Sequence, residues 1–99
     1  MTQNQRETVK AQIREILSKE PEVQRVVLFG SFVHSDQPND LDIAVFQNST
    51  QDYLPLAMKY RKLVRDLTNI LPIDILPIKL DAQGTFLDEI ASGEIIYEK

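Results

Sequence analysis

Hydrophobic positions recur along this chain in two rhythms. Between Thr8 and Lys19, Val9, Ile13, Ile16 and Leu17 stand at the three- and four-residue spacing of a helix, with polar residues between them. Pro21 closes that helix, because the residue ahead of a proline is pushed out of helical geometry. Arg25–Phe29 is a short β-branched and aromatic run ending at Gly30, which predicts a strand covered on both faces. Phe32 to Asn39 predicts a loop or short helix ending in the turn-forming Asp36-Gln37-Pro38-Asn39. From Leu41 to Phe46 the rhythm is a strand's. Leu41, Ile43 and Val45 point one way; Asp40, Asp42 and Ala44 point the other.

The clearest helix runs from Thr50 to Asn69. Tyr53, Leu56, Ala57, Tyr60, Leu63, Val64 and Leu67 form one apolar stripe, with Asp52 near the start and Lys59, Arg61, Lys62 and Arg65 on the solvent side. Pro72–Pro77 reads as a third strand, and its two prolines suit a sheet edge. A short helix over Phe86–Ala91 and a last strand over Glu94–Tyr97 follow. No repeat or low-complexity tract interrupts the pattern. The expectation is an α+β fold, a small mixed sheet packed with helices, in a single domain over 1–99.

Composition narrows the chemistry. The chain has no cysteine and one histidine, so disulfides, thiolate nucleophiles and Cys or His-rich zinc sites are excluded, and any metal should be a hard one held by oxygen. Fifteen acidic against eleven basic side chains give a net charge of −4, which argues against nucleic-acid binding through a broad basic face. Apolar runs such as Val26–Phe29 fall far short of a membrane span, and the polar start MTQNQRETVK has no signal-peptide core. A cytoplasmic location is expected.

Three aspartates stand in strands. Asp40 and Asp42 are two apart and leave the same face, while Asp74 lies on another strand between Ile73 and Ile75. Aspartate is disfavoured in strands, and like charges side by side repel. A divalent cation removes the objection, and three carboxylates together are what magnesium needs when substrate phosphates supply further oxygens. Ahead of them, Gly30 at the end of a buried strand lets a ligand approach the backbone closely. Ser31 is expected to cap a helix and to offer its hydroxyl and N–H to phosphate. His34 reads as a solvated loop residue rather than a general base.

Phe29-Gly30-Ser31, eight residues, then Asp40-Leu41-Asp42-Ile43-Ala44-Val45 resembles the signature of the DNA polymerase beta-like nucleotidyltransferases, and the length resembles their minimal branch. Ile73-Asp74-Ile75-Leu76 is similar to the strand carrying that family's third carboxylate, and Phe86 to Tyr97 to its closing helix and strand. The resemblance covers about Val23 to Tyr97 and implies a polymerase beta-like palm. It implies that Gly30 and Ser31 hold a triphosphate, that Asp40 and Asp42 hold two Mg2+ ions, and that Asp74 binds the catalytic ion and helps activate a hydroxyl. The implied reaction transfers AMP from ATP, with pyrophosphate leaving. The implied partner is a small helical HEPN protein of a toxin–antitoxin module, which supplies the acceptor.

Phe32 and Ser35 stand where the family often has arginine and glycine, and the spacer before Asp40 is often ten residues rather than eight. The other reading is therefore an antitoxin or regulatory subunit acting by contact, with a weak nucleotide site. A polymerase fragment is disfavoured by the acidic charge and by a length that holds no thumb or fingers.

Overall fold

The computed structural model describes residues 1–99. Helix α1 (Gln3–Ser18) leads into strand β1 (Val23–Phe29) and a single helical turn, α2 (Ser31–His34). Strand β2 (Leu41–Gln47), helix α3 (Tyr53–Leu63) and a 3₁₀ turn (Arg65–Asn69) precede strand β3 (Ile73–Lys79), helix α4 (Phe86–Ala91) and strand β4 (Glu94–Glu98). The sheet order is β3-β2-β1-β4. β2 and β3 run parallel while the other pairs are antiparallel, so the sheet is mixed and the fold is α+β as expected.

α1 begins five residues before its apolar rhythm does. A capping box starts it: Gln5 N–H donates to Thr2 Oγ1 at 3.1 Å, and Thr2 N–H donates to Gln5 Oε1 at 2.8 Å. That exchange satisfies two end donors with polar side chains only, so the first turn is invisible to hydrophobic periodicity. The long helix predicted over Thr50–Asn69 is shorter than expected. It stops at Leu63 and continues as the 3₁₀ turn. Leu56, Ala57, Tyr60, Val64 and Leu67 are buried, but Tyr53 is 53% and Leu63 38% exposed. Tyr53 is the first helical residue and Leu63 the last, and both flank the section of helix that faces the sheet.

β3 takes the edge, as its prolines predict, and extends two residues past Pro77. The alternation in β2 holds. Leu41, Ile43 and Val45 join a sixteen-residue core with Val9, Ile13 and Leu17 of α1 and Leu56 and Tyr60 of α3. Ala44 and Phe46 point to the opposite face, where they join Val27, Phe29 and Ile90 in a buried cluster of five, with partly buried Leu76, Ile78 and Leu87 packed against it. The sheet thus has one thickly covered face and one thinly covered face. Asp42, alternating with Leu41 and Ile43, belongs to the thin side.

Candidate active site

The loop between β1 and β2 is shaped by Gly30. Its φ of 76° is disfavoured for any residue with a side chain, and a Cβ there would sit 2.3 Å from Asp42 Oδ2. Glycine is needed on both counts, since the backbone passes directly over a carboxylate. Ser31 is not the cap expected from the sequence. Gly30 occupies the cap position of α2, and Ser31 is its first helical residue. Its hydroxyl lies 3.1 Å from Asp40 Oδ1 and 3.3 Å from the Asp40 carbonyl, and it accepts from Asn39 N–H at 3.3 Å. Ser31 therefore latches the end of the loop to the first aspartate.

Asp40 directly precedes β2, and Asp42 lies within it. In the parallel register Asp42 stands opposite Asp74 of β3, and in the antiparallel register it stands opposite Phe29. One carboxylate oxygen from each of Asp40, Asp42 and Asp74 falls within 4.8 Å of the others. Asp40 and Asp42 are half-buried; Asp74 is exposed. The structure thus brings together all three aspartates, with Gly30 and Ser31 directly against them.

Burial, followed by the charges of Asp40, Asp74 and Glu89, pushes the Asp42 carboxyl up to about 6. No lysine or arginine comes within ion-pair distance of the three aspartates; the ion pairs lie elsewhere. A half-buried carboxylate against two others, with no cation to offset them, fits a site for a hard divalent ion. All the donors there are oxygens, which suits magnesium.

Two contributors escape the sequence reading. Glu89 sits on the polar side of α4 and adds negative charge around Asp42. α4 is positioned by Ile90 in the small core and by Phe86, whose ring meets Phe29 edge-on at 6.0 Å. Arg6 of α1 donates to the backbone carbonyls of Phe32 and Ser35, and its guanidinium lies 5.1 Å from the Phe32 ring centre. It ties α2 and its C-terminal cap to α1. Nothing local links Arg6 or Glu89 to the loop, because both act across tertiary contacts. His34, at the end of α2, is exposed as expected.

Tyr60 is fully buried and donates to Glu22 Oε2 at 2.7 Å, a carboxylate that Lys59 also reaches at 2.9 Å. Burial raises the phenol first and the Glu22 hydrogen bond raises it further. Burial also pushes Glu22 up, but the bonds from Lys59 and Tyr60 outweigh it and leave Glu22 below its usual range. This is a structural tie between α3 and the turn before β1, away from the acidic site.

The family description "Polymerase beta, Nucleotidyltransferase" matches residues 11–99. The chain belongs to that family. Solved structures share the nucleotidyltransferase's fold. A structure of a tri-AMPylated Shewanella oneidensis HEPN toxin in complex with MNT antitoxin aligns at a TM-score of 0.67 and 23% identity, over 95% of this chain and 73% of that one. A toxin–antitoxin structure with AMP-PNP aligns at 0.67 and 24% identity, over 91% of this chain and 73% of that one. The toxin–antitoxin pair MntA-HepT aligns at 0.57 and 22%, over 99% and 74%. No curated protein matches the chain in sequence. No helix of the nucleotidyltransferase is long and apolar enough to cross a membrane.

Proposed function

We propose that this nucleotidyltransferase moves AMP from ATP to a hydroxyl on a HEPN-type partner protein, as the antitoxin of a cytoplasmic toxin–antitoxin pair, within a minimal domain spanning 1–99. The observation that carries the reading is the three-aspartate cluster beneath Gly30. The toxin named in one neighbouring structure carries AMP groups, and another neighbour holds AMP-PNP, which supports nucleotide and acceptor alike.

In this scheme Asp40 and Asp42 would hold two Mg2+ ions, and Asp74 would add its carboxylate to the catalytic one. When bound, these ions offset charge on the attacking and leaving oxygens. Gly30 gives the triphosphate close access to backbone, and Ser31 fixes Asp40 against its loop. Asp74, exposed at the mouth, takes the proton of the attacking hydroxyl at its carboxylate oxygen. The new bond joins that hydroxyl oxygen to the α-phosphorus; the bond to the bridging oxygen breaks and pyrophosphate leaves. Residues of this chain mainly position the reactants, which is where most of the catalytic effect in phosphoryl transfer originates.

The test is transfer of label from ATP, with magnesium, to the HEPN-type partner. Transfer by the unaltered chain that disappears in the Asp40→Asn, Asp42→Asn double variant supports the proposal. Equal neutralisation of the partner by both forms, with no transfer, supports a contact antitoxin instead. One feature favours that second reading: Phe32 replaces the arginine common after the glycine–serine pair, and Arg6, which lies against its ring, is committed to the Phe32 and Ser35 carbonyls.

A further inference from the structure

The outer face of α3 runs against the composition of the rest of the molecule. Its inner side buries Leu56, Ala57 and Tyr60, yet Leu54 is 61% and Met58 59% exposed. Arg61, Lys62 and, just past the helix, Arg65 carry the same stripe onward in solvent, at the spacing that puts side chains on one helical face. With Lys59 and Met58 they line a shallow groove. Lys59 is held by Glu20 at 2.8 Å and Glu22 at 2.9 Å, whereas Arg61, Lys62 and Arg65 have no carboxylate within ion-pair distance. These four cations are more than a third of the chain's eleven; elsewhere acids outnumber bases by about two to one.

We propose that this face docks an acidic helical surface of a protein partner, with apolar side chains set between its carboxylates. The proposal rests on the reading that the chain works through such a partner, and it adds where that partner sits. Charge complementarity selects the occupant, since three unpaired cations in an acidic molecule attract carboxylates and steer their approach. Leu54 and Met58 select it further. A phosphate backbone has no use for two exposed apolar side chains, whereas a helix packing alongside α3 buries them, and methionine adapts to an uneven partner surface. The net charge of −4 also repels nucleic acid and anionic lipid. α1 and α3 cover the sheet face opposite the one Asp42 belongs to, so a partner docked here leaves the carboxylates free. Holding the partner and acting on it are then separable.

The test measures binding of the full chain to the HEPN-type protein of the same genome and, separately, to a short DNA duplex and phosphatidylserine vesicles, with sedimentation to detect self-association. The expected result is salt-sensitive binding to the protein. An Arg61→Glu, Arg65→Glu pair and a Leu54→Ser, Met58→Ser pair should each weaken it roughly tenfold or more. An Arg61→Lys, Arg65→Lys pair should retain it, and the rise in melting temperature with Mg2+ and ATP should be unchanged in all three. Unchanged affinity in the first two variants overturns the proposal. So does an α3-dependent association with DNA, vesicles or a second copy of the chain, or no binding of the unaltered chain to the protein. In that last case a retained Mg2+–ATP shift leaves the nucleotide site standing, and its absence removes that reading too.

Discussion

Gly30 and Asp42 are so close that the space a β-carbon would take at position 30 is already filled by Asp42 Oδ2, 2.3 Å away. Gly30→Ala should therefore strain a backbone at φ 76° and displace the central carboxylate together. A loss of about 1–3 kcal/mol is expected from the strained backbone and the clash. Thermal melting checks the first effect. The second shows as a smaller rise in melting temperature with Mg2+ and ATP than the unaltered chain gives.

Asp42 makes stability depend on pH in the direction opposite to a salt-bridged carboxylate. Its folded value of about 6 stands above the ordinary 3.8, so the folded chain holds an extra proton between those values. Stability is greatest below pH 4 as far as this group is concerned, falls as pH rises towards 6, and levels off above it. After allowance for its partial exposure, the loss is about 1–2 kcal/mol. Asp42→Asn should flatten that slope and raise the melting temperature at pH 7. Mg2+ should stabilise the unaltered chain more at pH 7 than at pH 4, because the proton competes with the ion. A melting series across pH with and without Mg2+ reads both.

Arg6→Ala strips the Phe32 and Ser35 carbonyls of their donors and should cost about 1–3 kcal/mol. Arg6→Lys should recover only part of it, because an ammonium lacks the planar fork that reaches two carbonyls while lying on a ring. Chemical denaturation of the two variants measures the difference.

Tyr60→Phe keeps the ring in the core and removes one donor from Glu22. Lys59 remains on that carboxylate, so the expected loss is about 1–2 kcal/mol. Tyr60→Ala should lose about 3–5 kcal/mol by opening a cavity beneath α3. Nucleotide binding should survive in the phenylalanine variant, since this tie lies away from the aspartates. Comparing melting with the Mg2+–ATP shift in the same samples separates the two effects.

The alternation of Leu41, Ile43 and Val45 with Asp42 and Ala44 was legible from the residues alone, because a strand's side-chain period admits one arrangement. So were the edge place of β3, from its prolines, and the aspartate pair. That Asp74 meets Asp42 depends on a parallel pairing across an intervening helix, which residue types suggest but local spacing cannot dictate. The cap expected at Ser31 falls instead on Gly30, because a serine after glycine ordinarily caps a helix while here the hydroxyl turns back to Asp40. Arg6 and Glu89 were beyond reach, as each comes to the site through packing of a whole helix.

The unequal covering of the sheet also sets the order in which the molecule comes apart. α4 is six residues long, buries only Ile90, and so adds one member to a cluster of five, while the opposite face is locked by sixteen. Its amides should exchange with solvent through small, frequent openings, long before those of β1 and β2, which open only with the whole fold. Each such excursion carries the Glu89 charge away from Asp42, without disturbing the scaffold that keeps the aspartates in register.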